Sequence, residues 1–551
     1  MFAQLFKNKS FLPLLISRFF SGVNEGFIRT VFLFFVTYKL TQPNPTFLIL
    51  AVILYALSFC CATVYIGQIA DKFSKSRCLR VIRLCEIGIM LMALISISLD
   101  SRILLLTILI AMGMTNACLR VLDTALITEL IAPVKLNAGN TLMKAGVILA
   151  SGLSCLLLTS VLKFDVAYFV VCTLGLILSV ISFVVTLKIP MNKPADAETV
   201  IYKNPYRAFG YVSEKLKHKF DVWAYLVGIA WFWMLASVIF VFSGEYGRTV
   251  LHARWSAVMF LSSGVFTIGY IIGAMIYARL SRRNNMGAYT CVVGILTSLF
   301  LFNFIFASGS LIGVPMDKGV TIFKMLTTNI NYWFIMIDVF ILGGLAAFFV
   351  IPFYTLIQLK TPAFMMGRMM AFSNMVNALA VIGSLLFILS MKLLSFGVLE
   401  ILSLYALANI FVAIYMVRLL PVQSRQNVFR KIFKILFHVE VNGLENLQKA
   451  GKRALIITNH TSYMDVLLIS AFVDRQITFT VSDRLIEKTL VKFMTNLTDV
   501  HPLDPRSPFA VKYMAEQLNQ DKLCMILTEG IIEGGNTRMK IYEGPAMMAV
   551  K

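Results

Sequence analysis

A histidine and an aspartate near the C-terminus have the spacing of a general base and the group that orients it. His460 follows a strand-like run that ends at Thr458, and Asp465 lies in the first turn of a helix that Ser462 is placed to cap. Residues five apart do not share a face within one helix, but they can meet when the histidine lies in the preceding turn. A carboxylate there fixes the imidazole tautomer and raises its basicity, so that His460 can take a proton from an alcohol. The pattern predicts acyl transfer to a hydroxyl, although H-x4-D alone is common by chance.

Strand-like and helix-like segments alternate around this motif, which is typical of a soluble α/β unit. We expect this unit to occupy residues 439–551, after a linker helix at 421–438. The linker is basic and amphipathic, as in helices that lie on the inner membrane surface, and an ordinary packed helix is the alternative. The predicted strands are 453–458, 477–481 and 523–527, and the predicted helices are 463–472, 485–496 and 508–518.

The first 420 residues have the composition of a membrane protein. Of the 551 residues in the chain, 58% are hydrophobic and 14% are charged, and the mean hydropathy is +0.80. Average globular proteins are far more polar, so a single soluble domain, a disulfide scaffold and a disordered chain are excluded. Apolar runs long enough to be transmembrane helices are predicted at 12–37, 45–66, 82–99, 103–122, 141–162, 166–188, 222–243, 256–278, 287–307, 332–356, 370–392 and 396–418.

A polar, basic stretch divides these twelve predicted spans into six and six. We expect an all-α membrane region with halves at 1–190 and 222–420 and a cytoplasmic linker at 191–221. Basic residues concentrate in the even-numbered loops, which places both termini in the cytoplasm. The same distribution accounts for the formal net charge of +22, so no nucleic-acid partner is expected. A short repeat, Ala125–Pro133 after the fourth span and Thr355–Pro362 after the tenth, is typical of a duplicated transporter.

Ionisable residues inside the predicted spans are candidates for transport. Arg18, Glu25 and Arg29 are spaced by seven and four residues, so they lie near one face of the first span. Burying such a group at mid-membrane costs at least about 2.5 kcal/mol, so it should face a cavity. An internal ion pair and a binding site for substrate or cation fit the pattern equally well. The candidate transport residues are Arg18, Asn24, Glu25, Arg29, Glu129 and Asp338, with Arg120, Asp123, Lys144, Glu245 and Arg248 as further candidates.

Carboxylates are the candidate coupling groups. None of the five histidines lies inside an apolar run, which argues against a histidine proton relay. Glu25 and Asp338 are therefore the first candidates for sodium or proton coupling. The nine cysteines contain no C-x-x-C pair and fall mostly in apolar runs, so neither a metal site nor a disulfide is expected.

The loop after the second predicted span carries a recognisable motif. Gly67 to Arg77 reads G-Q-I-A-D-K-F-S-K-S-R and resembles the G-x-x-x-D-[RK]-x-x-[RK]-x-[RK] signature of the major facilitator superfamily. The glycine permits close helix approach, and the aspartate can pair across the interface between the halves. The second-half equivalent, Gly273 to Arg283, keeps the glycine but has Tyr277 in place of the aspartate. The resemblance implies a conformational motif made of Gly67, Asp71, Lys72 and Arg77.

Segments of the C-terminal region resemble the sequence blocks of the glycerolipid acyltransferase superfamily. Asn459 to Asp465 resembles the H-x4-D block, Val500 to Arg506 the second block, and Leu527 to Gly530 with Met539 to Gly544 the third. More narrowly, P-L-D-P and M-K-I-Y-E-G resemble the bacterial 2-acylglycerophosphoethanolamine acyltransferases. The arginine usual in the third block is missing, which leaves Arg506, Arg538 or Lys540 to bind phosphate. The resemblance implies His460 as general base, Asp465 as its orienting group, and Asn459, Glu529, Gly530, Arg506, Arg538 and Lys540 as substrate-binding residues.

In several bacteria this acyltransferase works with, or is fused to, a major facilitator lysophospholipid transporter. The twelve predicted spans resemble that transporter, notably at Thr128–Leu130 and Lys135–Asn140. The resemblance implies that lysophospholipid, chiefly lysophosphatidylethanolamine, is flipped to the inner leaflet of a bacterial inner membrane and re-acylated there. The implied acyl donor is a thioester of acyl carrier protein, with no other cofactor.

Further expectations concern partners, completeness and alternatives. Acyl carrier protein is acidic, so Arg425–Lys434 and Lys452–Arg453 are candidate docking segments, and attraction to anionic membrane lipid explains them equally well. Residues 439–551 are too few for the complete acyltransferase fold, so this domain is expected to be truncated, with an acyl-carrier-protein synthetase as a separate partner. The competing hypotheses are a transporter that carries an inactive acyltransferase fragment and a general drug or metabolite exporter.

Overall fold

The computed structural model describes two compact units. The described residues are 2–34, 45–98, 102–161, 167–217, 219–281, 289–312, 319–419, 426, 429–430, 433–434, 436–451, 453–458, 464–473, 475, 477–481, 499–502 and 508–527. The first unit comprises Met1–Asn284 and Thr290–Met416, and the second comprises Asn285–Tyr289 and Val417–Lys551.

Long helices build the first unit. Within its described residues, twelve long helical segments follow the twelve predicted apolar runs, and ten of them are long and apolar enough to cross a membrane. The other two, Phe11–Phe34 and Lys75–Ser98, carry several charged side chains. The helices are α1 (Phe2–Phe6), α2 (Phe11–Phe34), α3 (Pro45–Lys72), α4 (Lys75–Ser98), α5 (Arg102–Leu130), α6 (Leu136–Val161), α7 (Ala167–Leu187), α8 (Pro205–Leu216), α9 (Phe220–Thr249), α10 (Trp255–Met259), α11 (Phe266–Leu280), α12 (Thr290–Gly309), α13 (Ile322–Thr327), α14 (Ile330–Lys360), α15 (Met366–Leu393) and α16 (Val398–Leu419).

The two halves repeat the same connection between helices. α5 and α14 both end shortly before a proline, which disfavours helical backbone in the residue that precedes it. Each is followed by a single 3-10 turn, at Pro133–Lys135 and Ala363–Met365, that leads directly into α6 or α15. This geometry agrees with the repeat seen in the sequence.

The eighth predicted span is not a continuous α-helix. A π-helical turn over Phe260–Val265 separates α10 from α11. A side chain added at Gly264 in this turn would lie 3.5 Å from Leu156 of α6, so the turn faces the first half of the helical unit. Such turns occur frequently at functional sites. Hydropathy cannot distinguish a π-helical turn from an α-helix, so the sequence does not predict this turn.

Four glycines allow α11 and α14 to touch through their backbones. A Cβ atom added at Gly269 would lie 2.8 Å from the carbonyl carbon of Phe340, and one added at Gly273 would lie 2.8 Å from that of Gly344. Gly343 packs in the same way against the Phe266 carbonyl. Small residues permit this close approach in membranes, where no hydrophobic effect drives helices together.

The linker between the halves lies along the end of the bundle where α3 ends and α4 begins, here called the Asp71 end. The Tyr202 backbone N–H donates to Gln68 Oε1 at 2.6 Å, and Gln68 Nε2 donates back to the Tyr202 carbonyl at 3.4 Å. The ring of Phe209 in α8 packs 4.6 Å from that of Phe372 in α15. The linker therefore contacts helices of both halves.

The second unit contains a four-stranded parallel sheet. Its strands are β1 (Ala454–Thr458), β2 (Ile477–Val481), β3 (Asp499–Pro502) and β4 (Leu523–Leu527), in the order β1-β4-β2-β3. Helices α17 (Leu444–Lys449), α18 (Met464–Phe472) and α19 (Pro508–Asn519) complete its described elements. The three predicted strands agree with β1, β2 and β4, whereas β3 was not predicted. The predicted helix at 485–496 lies outside the described residues.

Two described residues of the basic amphipathic segment pack against α18. Arg430 Nε donates to the Ala471 carbonyl at 3.0 Å, and Phe433 is buried with Val466 and Phe472 in the core of this unit. These contacts are those of an ordinary packed helix, the alternative to the membrane-surface helix. Most of the rest of 421–438 lies outside the described residues.

Candidate functional sites

A buried cluster of charges lies inside the first half of the helical unit. Arg18 of α2 is 4% exposed and forms two ion pairs, Nη2 to Glu25 Oε2 at 3.7 Å and Nε to Asp123 Oδ2 at 3.4 Å. Arg120 of α5 reaches the other oxygen of Glu25, also at 3.7 Å. Of the two alternatives for the first span, the internal ion pair is thus present, and it extends to α5.

Neutral side chains connect this cluster to α3. Asn116 Oδ1 accepts hydrogen bonds from Arg18 Nη2 at 3.3 Å and from Arg120 Nε at 3.4 Å. Its amide nitrogen donates to the Tyr55 hydroxyl at 2.7 Å. Arg18, Arg120 and Glu25 are therefore held by a network rather than by isolated pairs, which is the arrangement that makes buried ions tolerable.

Three cations of the first half each meet an aromatic ring of the second half. The guanidinium of Arg120 lies 4.5 Å from the ring centre of Trp233, and Lys144 Nζ lies 3.5 Å from that of Tyr354. Arg29 completes the set. Its guanidinium lies 5.3 Å from the ring centre of Phe240 and donates a short hydrogen bond to Ser151. We call these six residues the cation–aromatic layer: Arg29, Arg120, Lys144, Trp233, Phe240 and Tyr354.

Two cations of this layer have no described carboxylate in direct contact. Arg29, Arg120 and Lys144 are all only partly buried. Arg120 is paired with Glu25, but no carboxylate of the described residues lies within 4 Å of Arg29 or Lys144. The aromatic partners provide some stabilisation through cation–π contacts. An anion that entered between the halves would meet two unpaired cations.

The remaining predicted transport residues lie apart from this layer. Asn24 is fully buried beside Gly175, and its amide has no hydrogen-bond partner among the described residues. Glu129, at the end of α5, accepts from Lys75 Nζ at 2.6 Å and from Asn192. Asp338 lies in the second half, on α14. The structure thus does not bring Asn24, Glu129 and Asp338 together with Glu25 in one site.

The conformational motif joins the two halves at the Asp71 end. Asp71 is fully buried and accepts three hydrogen bonds from α15: from the Gly367 N–H at 2.7 Å, and from the Arg368 N–H and Nε at 3.1 and 2.9 Å. A Cβ atom added at Gly67 would lie 2.9 Å from the Gly367 carbonyl oxygen. Lys72 is partly buried, while Arg77 is exposed. Arg368, the partner of Asp71, was not singled out by the sequence analysis.

The linker adds a second carboxylate to this junction. Arg368 Nη2 donates to Asp196 Oδ2 at 3.2 Å, and the Asp196 N–H donates to the Asp71 carbonyl at 2.9 Å. The pKa of Asp196 lies below its ordinary value, chiefly because the Thr199 hydroxyl donates to its carboxylate at 2.7 Å, with the charge of Arg368 lowering it further. Asp196 therefore stays ionised at neutral pH and is a second anionic partner of Arg368.

The second repeated segment, at the end of α14, contacts α6 of the first half at the Asp71 end. Asn140 Nδ2 donates to Gln358 Oε1 at 2.5 Å and to the Thr355 hydroxyl at 2.9 Å. Tyr277 stands where the second copy of the motif has lost its aspartate, and its hydroxyl donates to Asn137 Oδ1 at 3.2 Å. These contacts cross between the halves, so the Asp71 end is closed in this structure.

Removing the charge of Asp71 should open this end. In Asp71→Asn, the buried guanidinium of Arg368 would lose its main partner, and breaking such a pair typically costs about 3–5 kcal/mol. We expect faster labelling of a cysteine placed at Met375 of α15 by a water-soluble maleimide, and slower transport. Asp196→Asn is the matched control, with a smaller expected effect because Asp196 is 31% exposed. Equal labelling of wild type and Asp71→Asn would contradict the assignment.

Only part of the H-x4-D motif lies among the described residues of the second unit. β1 ends at Thr458, and Asp465 lies partly buried in the first turn of α18, as the sequence predicts. The other predicted residues of this site, Asn459, His460, Arg506, Glu529, Gly530, Arg538 and Lys540, lie outside the described residues.

The three predicted sequence blocks of the acyltransferase lie at the carboxyl ends of strands in the second unit. Thr458 pairs with Leu527 across β1 and β4, and Val481 pairs with Pro502 across β2 and β3. All these strands are parallel, so their carboxyl ends share one edge of the sheet. The H-x4-D block follows β1 directly, the second block spans the end of β3, and the third begins at the last residue of β4. Ligands of open parallel sheets bind outside this edge.

Comparison with known proteins gives the class of both parts. The family model for the Major Facilitator Superfamily matches residues 14–385, and the chain belongs to this superfamily. The family model described as Acyltransferase matches residues 438–551. The protein is thus a multi-pass membrane transporter followed by an acyltransferase domain, as predicted.

Solved structures support the transporter fold. A bacterial homologue of the iron transporter ferroportin, crystallised in an outward-facing state, has a TM-score of 0.54 and 13% sequence identity, covering 74% of this chain and 98% of its own. The proton:xylose symporter XylE, bound to 6-bromo-6-deoxy-D-glucose, has a TM-score of 0.54 and 10% identity, covering 75% of this chain and 96% of its own. At such low identity these similarities show the fold alone.

Proposed function

We propose that the transporter moves lysophospholipid, chiefly lysophosphatidylethanolamine, from the outer to the inner leaflet of a bacterial inner membrane, and that the acyltransferase domain re-acylates it. The observation that carries this proposal is the presence of a transporter and an acyltransferase in one chain. A single-chain phospholipid with a free hydroxyl is a substrate that both parts can share. Both termini then lie on the cytoplasmic side, where the acyl donor is available.

The cation–aromatic layer suits the headgroup of such a lipid. A lysophospholipid carries one phosphate, and lysine and arginine are the side chains that bind phosphate most strongly. Lys144 and Arg29 are cations with no described carboxylate within 4 Å, so they are available to a phosphate. The rings of Trp233, Phe240 and Tyr354 offer apolar surface next to these cations, as an amphiphile requires.

Glu25 places one negatively charged side chain next to the cation–aromatic layer. Its carboxylate lies 3.7 Å from Arg18 and from Arg120, so it is close to the layer. An ethanolamine headgroup carries an ammonium next to its phosphate. We assign the phosphate to Lys144 and Arg29 and the ammonium to Glu25, which would account for recognition of a zwitterionic headgroup.

His460 would then act on the free glycerol hydroxyl. It accepts the hydroxyl proton while the oxygen attacks the carbonyl carbon of the acyl thioester, and Asp465 holds the imidazole in the required tautomer. A new ester bond forms, the carbon–sulfur bond breaks, and the carrier leaves as a thiol once it is protonated. Glu529 and Gly530 would position the glycerophosphate, with Asn459 beside His460 and with Arg506, Arg538 or Lys540 binding its phosphate.

The acyl donor proposed is the thioester of acyl carrier protein. The carrier is acidic, and Arg425–Lys434 and Lys452–Arg453 are the basic segments that could attract it. A separate acyl-carrier-protein synthetase would recharge the carrier. No other cofactor enters the proposed reaction.

Competition between matched amphiphiles tests the transport step. Proteoliposomes of known orientation would receive labelled lysophosphatidylethanolamine, with unlabelled competitors of the same chain length. We expect strong competition by lysophospholipids and weak competition by an alkyl trimethylammonium, which has no phosphate. Equal competition by both would instead favour a general exporter.

Product analysis in the same vesicles tests the second step. Acyl carrier protein thioester would be supplied on the side of the acyltransferase domain, and diacyl product would be followed by chromatography. Uptake without product from the wild type would mean that the chain is a transporter with an inactive acyltransferase fragment. No uptake at all would refute the transport proposal.

A further inference from the structure

Asp338 is a buried carboxylate in the second half of the transporter. It lies on α14 and is 1% exposed. Its two oxygens accept from a single donor, Asn303 Nδ2 of α12, at 3.0 and 2.8 Å. The group is therefore sequestered from solvent and held by a neutral amide.

The absence of a cationic partner sets Asp338 apart from the other buried acids. Asp71, Glu86 and Asp123 each have an arginine nitrogen within 3.4 Å, and Glu25 has two at 3.7 Å. Within the part of the chain that the structure describes, no lysine, arginine or histidine nitrogen lies within 4 Å of the Asp338 carboxylate. An ionised carboxylate in such a place is strongly unfavourable, so the group has to take up a cation.

Few other polar groups face Asp338 from the helices packed around it. The titratable ones described at this depth are Tyr246 of α9, which interacts electrostatically with Asp338, and Tyr332 of α14 itself, whose hydroxyl donates to the Leu251 carbonyl. α12 adds Ser308, which hydrogen-bonds to Tyr246 at 2.7 Å. α11 presents a backbone contact at Gly269. Of the charged groups on α9 and α15, Glu245 and Lys392 pair with each other, and Arg248 of α9 is exposed.

This environment favours a proton over a metal ion. A sodium ion needs several oxygen ligands, whereas a proton needs one carboxylate oxygen and a hydrogen-bond acceptor. Asn303 serves both protonation states, because its amide nitrogen donates to the carboxylate and its amide oxygen, after a flip, accepts from the acid. An arginine in the same place would keep the carboxylate permanently ionised.

We propose that Asp338, positioned by Asn303, is the site at which the transporter carries its driving proton. The proton is bound while α12 and α14 enclose the carboxyl group, and it passes to water when the group becomes accessible on the other side of the membrane. The inference rests on the proposed transport function, since it names the ion that would drive it.

Gradient-driven uptake tests this assignment. Proteoliposomes free of sodium, with the membrane potential clamped at zero, would be given a pH gradient of one unit. With one proton per lipid, the wild type should accumulate lysophosphatidylethanolamine about tenfold, because one pH unit is a tenfold ratio of proton activity. Asp338→Asn should lose this accumulation but keep the exchange of labelled for unlabelled lipid. Glu400→Gln, an exposed carboxyl-to-amide change in the same half, is the matched control and should behave as wild type.

Other outcomes of this experiment distinguish a failure of the Asp338 assignment from a failure of the proposed transport function. Accumulation that persists in Asp338→Asn would overturn the assignment, as would accumulation driven by a sodium gradient alone. If Asp338→Asn does not fold, Asp338→Glu keeps a carboxyl group and must retain proton-driven uptake with a shifted pH dependence. Loss of exchange in the wild type would instead refute the proposed transport function.

A chemical measurement tests the site independently of transport. Dicyclohexylcarbodiimide is apolar and adds to protonated carboxyl groups in membranes. In the purified wild-type protein we expect it to modify Asp338, less so as the pH rises, and to leave the arginine-paired Asp71 unmodified. Mass spectrometry that finds Asp338 unmodified at every pH would overturn the proposal.

Discussion

Replacing His460 by alanine should lower the rate of lysophospholipid acylation by about 10²- to 10⁴-fold, the usual contribution of a general base. The hydroxyl would have to lose its proton to water during attack on the thioester. The measurement supplies lysophosphatidylethanolamine in detergent micelles with acyl carrier protein thioester, so that transport does not limit the rate. Asp465→Asn should lower the rate less, because the imidazole remains but loses the carboxylate that orients it.

Two controls separate a catalytic loss from a folding defect. His438 is an exposed histidine of the same unit whose backbone has φ of 50°, so His438→Asn suits that conformation and should leave acylation unchanged. In vesicles, His460→Ala should take up lysophospholipid at the wild-type rate. Undiminished acylation by His460→Ala would show that the motif is not the active site.

Removing the charge of Lys144 should reduce lysophospholipid uptake by about 10- to 100-fold, since hydrogen bonds to charged groups contribute about 1.5–3 kcal/mol. Lys144→Met keeps the length of the side chain and its packing on Tyr354. Because no described carboxylate lies within 4 Å of Lys144, the substitution leaves no acid unpaired there, and the protein should fold normally. Initial rates over a range of lipid concentrations would show the change as a raised KM.

A lysine outside the cation–aromatic layer provides the matched control. Lys135 lies in the 3-10 turn that precedes α6, at the Asp71 end of the bundle. Lys135→Met removes the same charge from the same part of the chain and should leave uptake close to wild type. If the two variants were equally impaired, the loss would reflect overall charge, and the assignment of Lys144 to the headgroup would be wrong.

The sequence predicts the elements of this protein better than their contacts. Twelve apolar runs and three strand-like runs suffice to locate the long helices and three of the four strands, because hydropathy and its period are local properties. β3 is only four residues long and contains His501 and a proline, so it has no clear alternation. The hydropathy pattern also cannot predict the π-helical turn at Phe260–Val265, because the residues of such a turn are as apolar as those of the α-helices beside it.

Pairings across the two halves could not be predicted. Arg120 and Lys144 are charged residues in apolar segments, and this alone made them further candidates for transport. Trp233 and Tyr354 do not, because they are two among 68 aromatic residues counted as Phe, Trp and Tyr. Arg368 lies 297 residues from Asp71, and no spacing rule connects positions so far apart. A search for charged residues near the start of the eleventh span would have found it.

The backbone contact between α11 and α14 has a mechanical consequence. Where Gly273 meets Gly344, no side chain stands between the helices, so none can change rotamer to let one helix slide along the other. Packed interfaces of this kind shift between discrete arrangements rather than deform continuously. The pair should therefore be among the stiffest parts of the second half, and the flexibility that any transport cycle needs has to reside elsewhere, at surfaces where side chains interdigitate and can repack.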